Sequence, residues 1–162
     1  MSHAISGDAI ISKCGTYRYL LQRSWDVQRA GVCFVMLNPS TADASVDDPT
    51  IRRCLGFAHD LGFGQLEVVN LFALRATDPK KLGLHHDPIG GDNDYQIIQS
   101  ARICKLTICA WGTNGTLKAR NKAVLSLLRE GGITPHALRF SKQGHPAHPL
   151  YLPKGLQPIP FL

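Results

Sequence analysis

The sequence lacks most of the features that would declare a chemistry at once. Its five cysteines include no Cys-x-x-Cys pair, so neither a zinc ribbon nor a dithiol redox motif is written here. Their odd number, with Cys33, Cys54, Cys104 and Cys109 set in apolar runs, fits reduced core thiols rather than a disulfide framework. Cys104 and Cys109 stand at odd spacing along one strand, which should turn them to opposite faces and away from a shared metal ion. No apolar run approaches the length that crosses a bilayer, and the opening MSHAISGDAIISK lacks the apolar core of a signal peptide. A soluble, cytoplasmic protein without a membrane partner is expected. The chain has no phosphate loop, no glycine elbow around a serine, no internal repeat and no low-complexity linker. Those absences weigh against phosphoryl or nucleotidyl transfer and against Ser40 as a nucleophile.

What is present is a moderate positive charge, formally +6, on 162 residues. That length supports one core, so a single domain over residues 1–162 is expected, with a loose lead-in (1–16) and a proline-rich tail (152–162). The charge permits a nucleic-acid or nucleotide partner without requiring one.

The chain is organised around VCFVMLNPSTADASVDDPTIRR, residues 32–53. Val32 to Leu37 is an unbroken apolar run, too short for a helix and ended by Asn38-Pro39, so it reads as a strand buried on both faces. A polar loop leads to Asp47-Asp48-Pro49, where a capping carboxylate before proline marks a helix start. That helix should run to about Leu61, with Ile51, Cys54, Leu55, Ala58 and Leu61 on its apolar face. Upstream, Tyr17 to Gln22 reads as an edge strand with one wet face, turning back through Ser24 to Gly31 in a plausible hairpin. Downstream, Leu66 to Phe72 is the next strand, followed by the polar Arg75 to Pro79 and a loop from Lys80 to Gly91. Asp92-Asn93-Asp94 can cap a helix through Ile103, with Ile97, Ile98 and Ala101 inward. Leu106 to Ala110 is a third buried strand, ending at Trp111-Gly112. Thr116 to Glu130 suits a third helix, with Leu117, Val124, Leu125 and Leu128 inward and Lys118, Arg120, Lys122 and Arg129 on a wet face. Pro135 to Phe140 makes a fourth central strand before the loop Ser141 to Tyr151. The expected fold is a three-layer α/β/α arrangement with a mainly parallel four-stranded central sheet plus an edge strand.

In such a sheet, ligands settle outside the carboxyl ends of the strands, where four loops meet. The polar groups delivered there are Asn38, Ser40, Asp43, Asp47, Asn70, Arg75, Asp78, Lys142, His145 and His148, with Pro39 and Trp111 beside them. Each has a plainer role open to it. Asn38 can shape a turn or hold a water, and Asp47 can be a helix cap. Asn70 can close its strand on backbone or contact a ligand. Arg75 and Asp78 can pair with one another. His145 and His148, each stiffened by a following proline, can donate to a developing anion or shuttle a proton near neutrality. A zinc site from His145, His148 and Asp43 finds no support in the spacing, and neither a metal nor a cofactor is expected.

The motifs LNPSTAD, DDPTIRR, VVNLFALRATDP, GDND, CAWG and GHPAHPLYLP resemble, over nearly the whole length, a bacterial and phage family catalogued as domain of unknown function 1643. That resemblance implies no activity. The same order is more distantly similar to the uracil-DNA glycosylase superfamily, through MLNPS (36–40), VVNL (68–71), CAWG (109–112) and HPAHPL (145–150). This second resemblance implies a metal-independent hydrolase of an N-glycosidic bond in DNA or a nucleotide. By it, Asn38 would position water, with Asp43 or Asp47 as helpers. Asn70 would read the base edge, and His145 or His148 would stabilise the departing base. Arg75 and Lys142 would meet phosphate, and Phe72 or Tyr151 would have to supply the stacking ring. The TAD and RATDP segments have no glycosylase counterpart and suggest a different substrate. The alternatives are a non-catalytic nucleotide- or nucleic-acid-binding module and, third, nucleotidyl or phosphoryl transfer.

Overall fold

The structure, a computed structural model, describes residues 4–162. Its apolar runs pair into one seven-stranded sheet of order β1-β2-β4-β3-β5-β6-β7. The strands are β1 (Ser6–Ile11), β2 (Arg18–Ser24), β3 (Gly31–Met36), β4 (Gln65–Asn70), β5 (Leu106–Cys109), β6 (Pro135–Ala137) and β7 (Ile159–Pro160). The four central strands, β4, β3, β5 and β6, run parallel, while β1, β2 and β7 are antiparallel to their neighbours.

Three α-helices cover both faces. α1 (Pro49–Asp60) lays Ile51, Cys54, Phe57 and Ala58 on Val32, Phe34, Met36, Leu66 and Val68. α2 (Asn93–Ile103) and α3 (Arg120–Glu130) lay Ile97, Ala101, Val124, Leu125 and Leu128 on Val35, Val69 and Leu71. Every residue of β3 is buried, because alternate side chains enter the two separate cores. Each fully buried large side chain, such as Phe34, contributes roughly 1.5–3 kcal/mol.

Register then fixes the working edge. Met36 lies opposite Asn70, and Val35 opposite Cys109, so β3, β4 and β5 end side by side. The chain stays ordered past these ends: Leu71 N donates to Met36 O at 2.9 Å, Phe72 N to Leu37 O at 3.0 Å, and Ala76 N to Pro39 O at 3.0 Å.

Several expectations need correction. Residues 6–11 of the supposed lead-in form β1, which pairs with β2 along its whole length. β2 is therefore an inner strand; it pairs with β4 rather than forming a hairpin with β3, and its hairpin partner is β1. Small and polar residues hid β1, since almost all of it is exposed and backbone pairing alone holds it. The tail likewise contributes β7, and its Leu152 is buried in the core beneath α1. The third helix does not run unbroken from Thr116. A 3₁₀ segment (Thr113–Ala119) is kinked off from α3 by Leu117 in extended backbone and by Lys118 and Ala119 in left-handed backbone, φ 53° each. Arg120 is buried rather than wet: it donates through Nε to Leu71 O at 2.7 Å and pairs with Asp94. The fourth strand is shorter than Pro135 to Phe140, and a 3₁₀ turn (Pro79–Gly83) sits within the loop before α2. Cys33, Cys54, Cys104 and Cys109 are buried free thiols as expected. Cys104 and Cys109 do not diverge, however: both enter the α2/α3 core, because Cys104 precedes β5 on the α2 cap rather than lying on the strand.

Candidate functional site

The ends of β3, β4 and β5, the N-terminus of α1 and the loop before Leu152 enclose a cleft of about 420 Å³. Volumes in this range hold a single small ligand. Asn38, Pro39, Ser40, Asn70, Trp111 and His148 all line it, as the strand-end argument requires.

Asn70 forms the floor. It is 1% exposed, and among the described residues neither its Oδ1 nor its Nδ2 has a hydrogen-bond partner. Its backbone is held from the opposite face of the sheet. Asn93 of α2 donates through Nδ2 to the carbonyls of Asn70 at 2.9 Å and Leu71 at 3.1 Å, and Arg120 supplies a further bond to Leu71. Buried polar atoms are nearly always paired, so an unpaired amide aimed into a cleft points to a group supplied from outside.

Asn38 is held from one side only. Its Nδ2 donates to the carbonyls of Ala76 (2.8 Å), Pro39 (3.1 Å) and Leu74 (3.5 Å), which ties the RATDP segment to β3. With Nδ2 committed to those carbonyls, Oδ1 is the end left to accept from a water or ligand.

Asp48 caps α1, accepting from Ile51 N at 2.8 Å through Oδ1. It lines the cleft with Thr50, and its charge acts on both Arg18 and His148. His148 is half-buried, and its Nδ1 accepts from Leu150 N at 3.3 Å. The neutral ring therefore carries its hydrogen on Nε2. Burial lowers its pKa below the ordinary value, with Asp48 pulling the other way. The His148 loop is fastened twice. Arg53 of α1 donates to the carbonyls of Pro149 and Leu152 and lies over the Phe57 ring. Gly112, at φ 75°, gives its N–H to Pro146 O at 2.8 Å, joining CAWG to HPAHPL. A Cβ on the neighbouring Gly115 would stand 2.4 Å from the Trp111 ring, so glycine is required for the indole to seat.

Arg18 is the lining residue that motif reading passed over. It is 2% exposed, donates through Nη1 to Ala42 O at 3.1 Å, and leaves Nε unpaired. A bulge places it there: Ile10 pairs with Leu20 but Ile11 with Arg18, so Tyr19 is the extra residue. Strict alternation would have turned Arg18 to the same face as Leu20, which packs in the α2/α3 core. Burial pulls its pKa down to about 10, against the charge of Asp48, and it stays cationic at neutral pH.

The remaining expected residues lie outside the lining. Asp43 closes its own loop, accepting from Ser45 N and Val46 N through Oδ1, and those bonds lower its pKa. Asp47 pairs at 2.9 Å with the buried Arg23, which also reaches the Asp43 and Val46 carbonyls. Asp78 caps the 3₁₀ turn through Lys80 N, and no Arg75–Asp78 ion pair forms among the described residues. Lys142 is exposed, and His145 is bonded through its backbone to Ser141 in a turn away from the cleft. His148 is thus the histidine that faces the cleft. Among the described residues, no cluster of His, Cys, Asp or Glu could hold a metal ion, and no helix is long and apolar enough to cross a membrane.

The family model described as "Protein of unknown function (DUF1643)" matches residues 18–150. The chain belongs to this DUF1643 family. No curated protein and no solved structure matches it. The matched span begins at Arg18 and ends two residues after His148, so the family segment contains every lining group of the cleft except Tyr151.

Proposed function

We propose that this cleft seats a nucleobase against Asn70 and hydrolyses the N-glycosidic bond of a nucleotide, free or in DNA. The observation that carries the proposal is the Asn70 amide, buried, cleft-lining and unpartnered at both ends. A side-chain amide offers one acceptor beside one donor, the complement of the lactam or amidine edge of a base. Left unpaired, each atom costs about 1–3 kcal/mol, which a matching edge would offset. Tyr151, 83% exposed with its ring 5.7 Å from that of His148, offers a face for stacking at the rim. Phe72 is fully buried and cannot serve.

The rest of the lining supports hydrolysis. Water held by Asn38 Oδ1 attacks the anomeric carbon, and the Asp48 carboxylate accepts its proton. The carbon–nitrogen bond breaks with its electron pair passing to the base. His148 Nε2–H stabilises the base as it leaves, and burial favours the neutral ring that this role needs. Asp48 takes the place foreseen for Asp43 or Asp47. The assignment follows the distant motif resemblance to uracil-DNA glycosylases, which no solved structure bears out.

Mass spectrometry of free base tests the proposal, with single- and double-stranded DNA carrying uracil, mismatches and modified pyrimidines, and with free nucleotides. Release that is lost in Asp48→Asn and in His148→Gln is expected. Binding without release from any substrate would instead make the protein a nucleotide-binding module.

A further inference from the structure

Resting on that reading, we infer that Arg18 is a phosphate subsite and that the substrate is a free mononucleotide rather than a base flipped from a polymer. The cleft holds one lysine or arginine among its described lining residues, and that residue is Arg18. Its guanidinium is almost wholly buried and, among the described residues, keeps an unpaired Nε and makes no ion pair within 4 Å. A buried guanidinium is normally paired, and its planar fork suits a phosphate or carboxylate.

Position decides which phosphate. Proteins that grip a nucleic-acid strand spread cations over a surface groove, because consecutive phosphates run along the outside of the polymer. Here the other lining residues are neutral or acidic, Thr50, Thr77, Asn114 and Tyr151 with Asp48 among them, the one lining cation is buried, and Arg75 acts on it only through its charge from outside the lining. Arg75 and Lys142, the expected phosphate contacts, do not line the cleft. The N-terminus of α1 opens on the same cavity, but Pro49 has no N–H and the Ile51 N–H is held by the Asp48 carboxylate, so Arg18 is the group left to meet a ligand anion. A terminal phosphate on a single nucleotide can enter with its base on Asn70, whereas a phosphate flanked on both sides by sugar cannot follow the base inward.

Calorimetry on the full chain separates the possibilities, using a nucleoside, its 5′-monophosphate, inorganic phosphate and an oligonucleotide with the same base. The monophosphate should bind roughly 10- to 100-fold more tightly than the nucleoside, the worth of one charge-assisted contact. Arg18→Gln should erase that preference, and Arg18→Lys should recover part of it. Equal affinity for nucleoside and monophosphate, or tighter binding of the oligonucleotide, would overturn the phosphate subsite and leave the Asn70 reading standing. Failure of both nucleoside and monophosphate to bind the folded protein would remove the two together.

Discussion

At Asn70, stability and function pull in opposite directions. Met36, Val68 and Ile51 line the same cavity, so a leucine of similar size would meet apolar neighbours and leave no orphaned donor or acceptor. Asn70→Leu should therefore hold or raise the unfolding free energy, by up to about 2 kcal/mol, while base binding falls below detection. Denaturant titration and calorimetry on one preparation would check both halves. A large loss of stability would mean the amide has a partner after all. His148 makes a second residue-scale prediction. Its folded pKa lies below the unfolded value, so the unfolded chain takes up the proton first as pH falls. The stability it contributes is complete above about pH 6.5 and is lost as pH drops from the unfolded value through the folded one. His148→Gln should flatten that part of the acid limb relative to the wild type, measured by urea unfolding at a series of pH values. An unchanged limb would contradict a buried neutral ring.

At the scale of elements, DDPTIRR does several jobs within seven residues: Asp47 restrains Arg23, Asp48 caps α1 beside the cleft, and Arg53 fastens the His148 loop. Arg53→Met removes the bonds to Pro149 and Leu152 together with the guanidinium that lies over the Phe57 ring. Hydrogen exchange at Leu150 to Leu152 should quicken and turnover should fall, at a stability loss of about 1–3 kcal/mol. Unchanged exchange in that loop would show it is held by something else. At the start of α3, Ala119 sits at φ 53°, where a Cβ is disfavoured by roughly 1–2 kcal/mol. Ala119→Gly should stabilise the protein by up to about 1 kcal/mol in denaturant titration; destabilisation would refute the kink.

The parallel core of the sheet was legible because β3, β4 and β5 are continuous apolar runs ended by polar loops, which brought Asn38, Asn70 and Trp111 together, and the loop after β6 added His148. Arg18 was not legible, because a single-residue bulge reverses the face that alternation assigns. Asp48 was read as a cap, which it is, and nothing local says that a cap also fronts a cavity. Asp43, Asp47 and Asp78 stay outside the lining for the converse reason: Asp43 and Asp78 accept from nearby backbone N–H groups, and Asp47 pairs with Arg23.

For the whole molecule, two cores on either side of one sheet leave a single edge where strand ends, a helix start and the closing loop meet. The +6 charge lies largely outside that cleft, so it should matter little to ligand affinity. Monophosphate binding should weaken only gently with salt, with a logarithmic slope near −1 or shallower, against about −0.7 per phosphate contacted for a single strand. A steep slope in a salt titration would argue for a polymer. The measurement closest to the central claim observes Asn70 itself, by following side-chain amide NMR signals while base or nucleotide is titrated in. The Asn70 pair should move to saturation, while that of Asn93, tied to the Asn70 and Leu71 carbonyls, stays nearly still. An Asn70 signal that remains fixed as ligand saturates the protein would contradict the account.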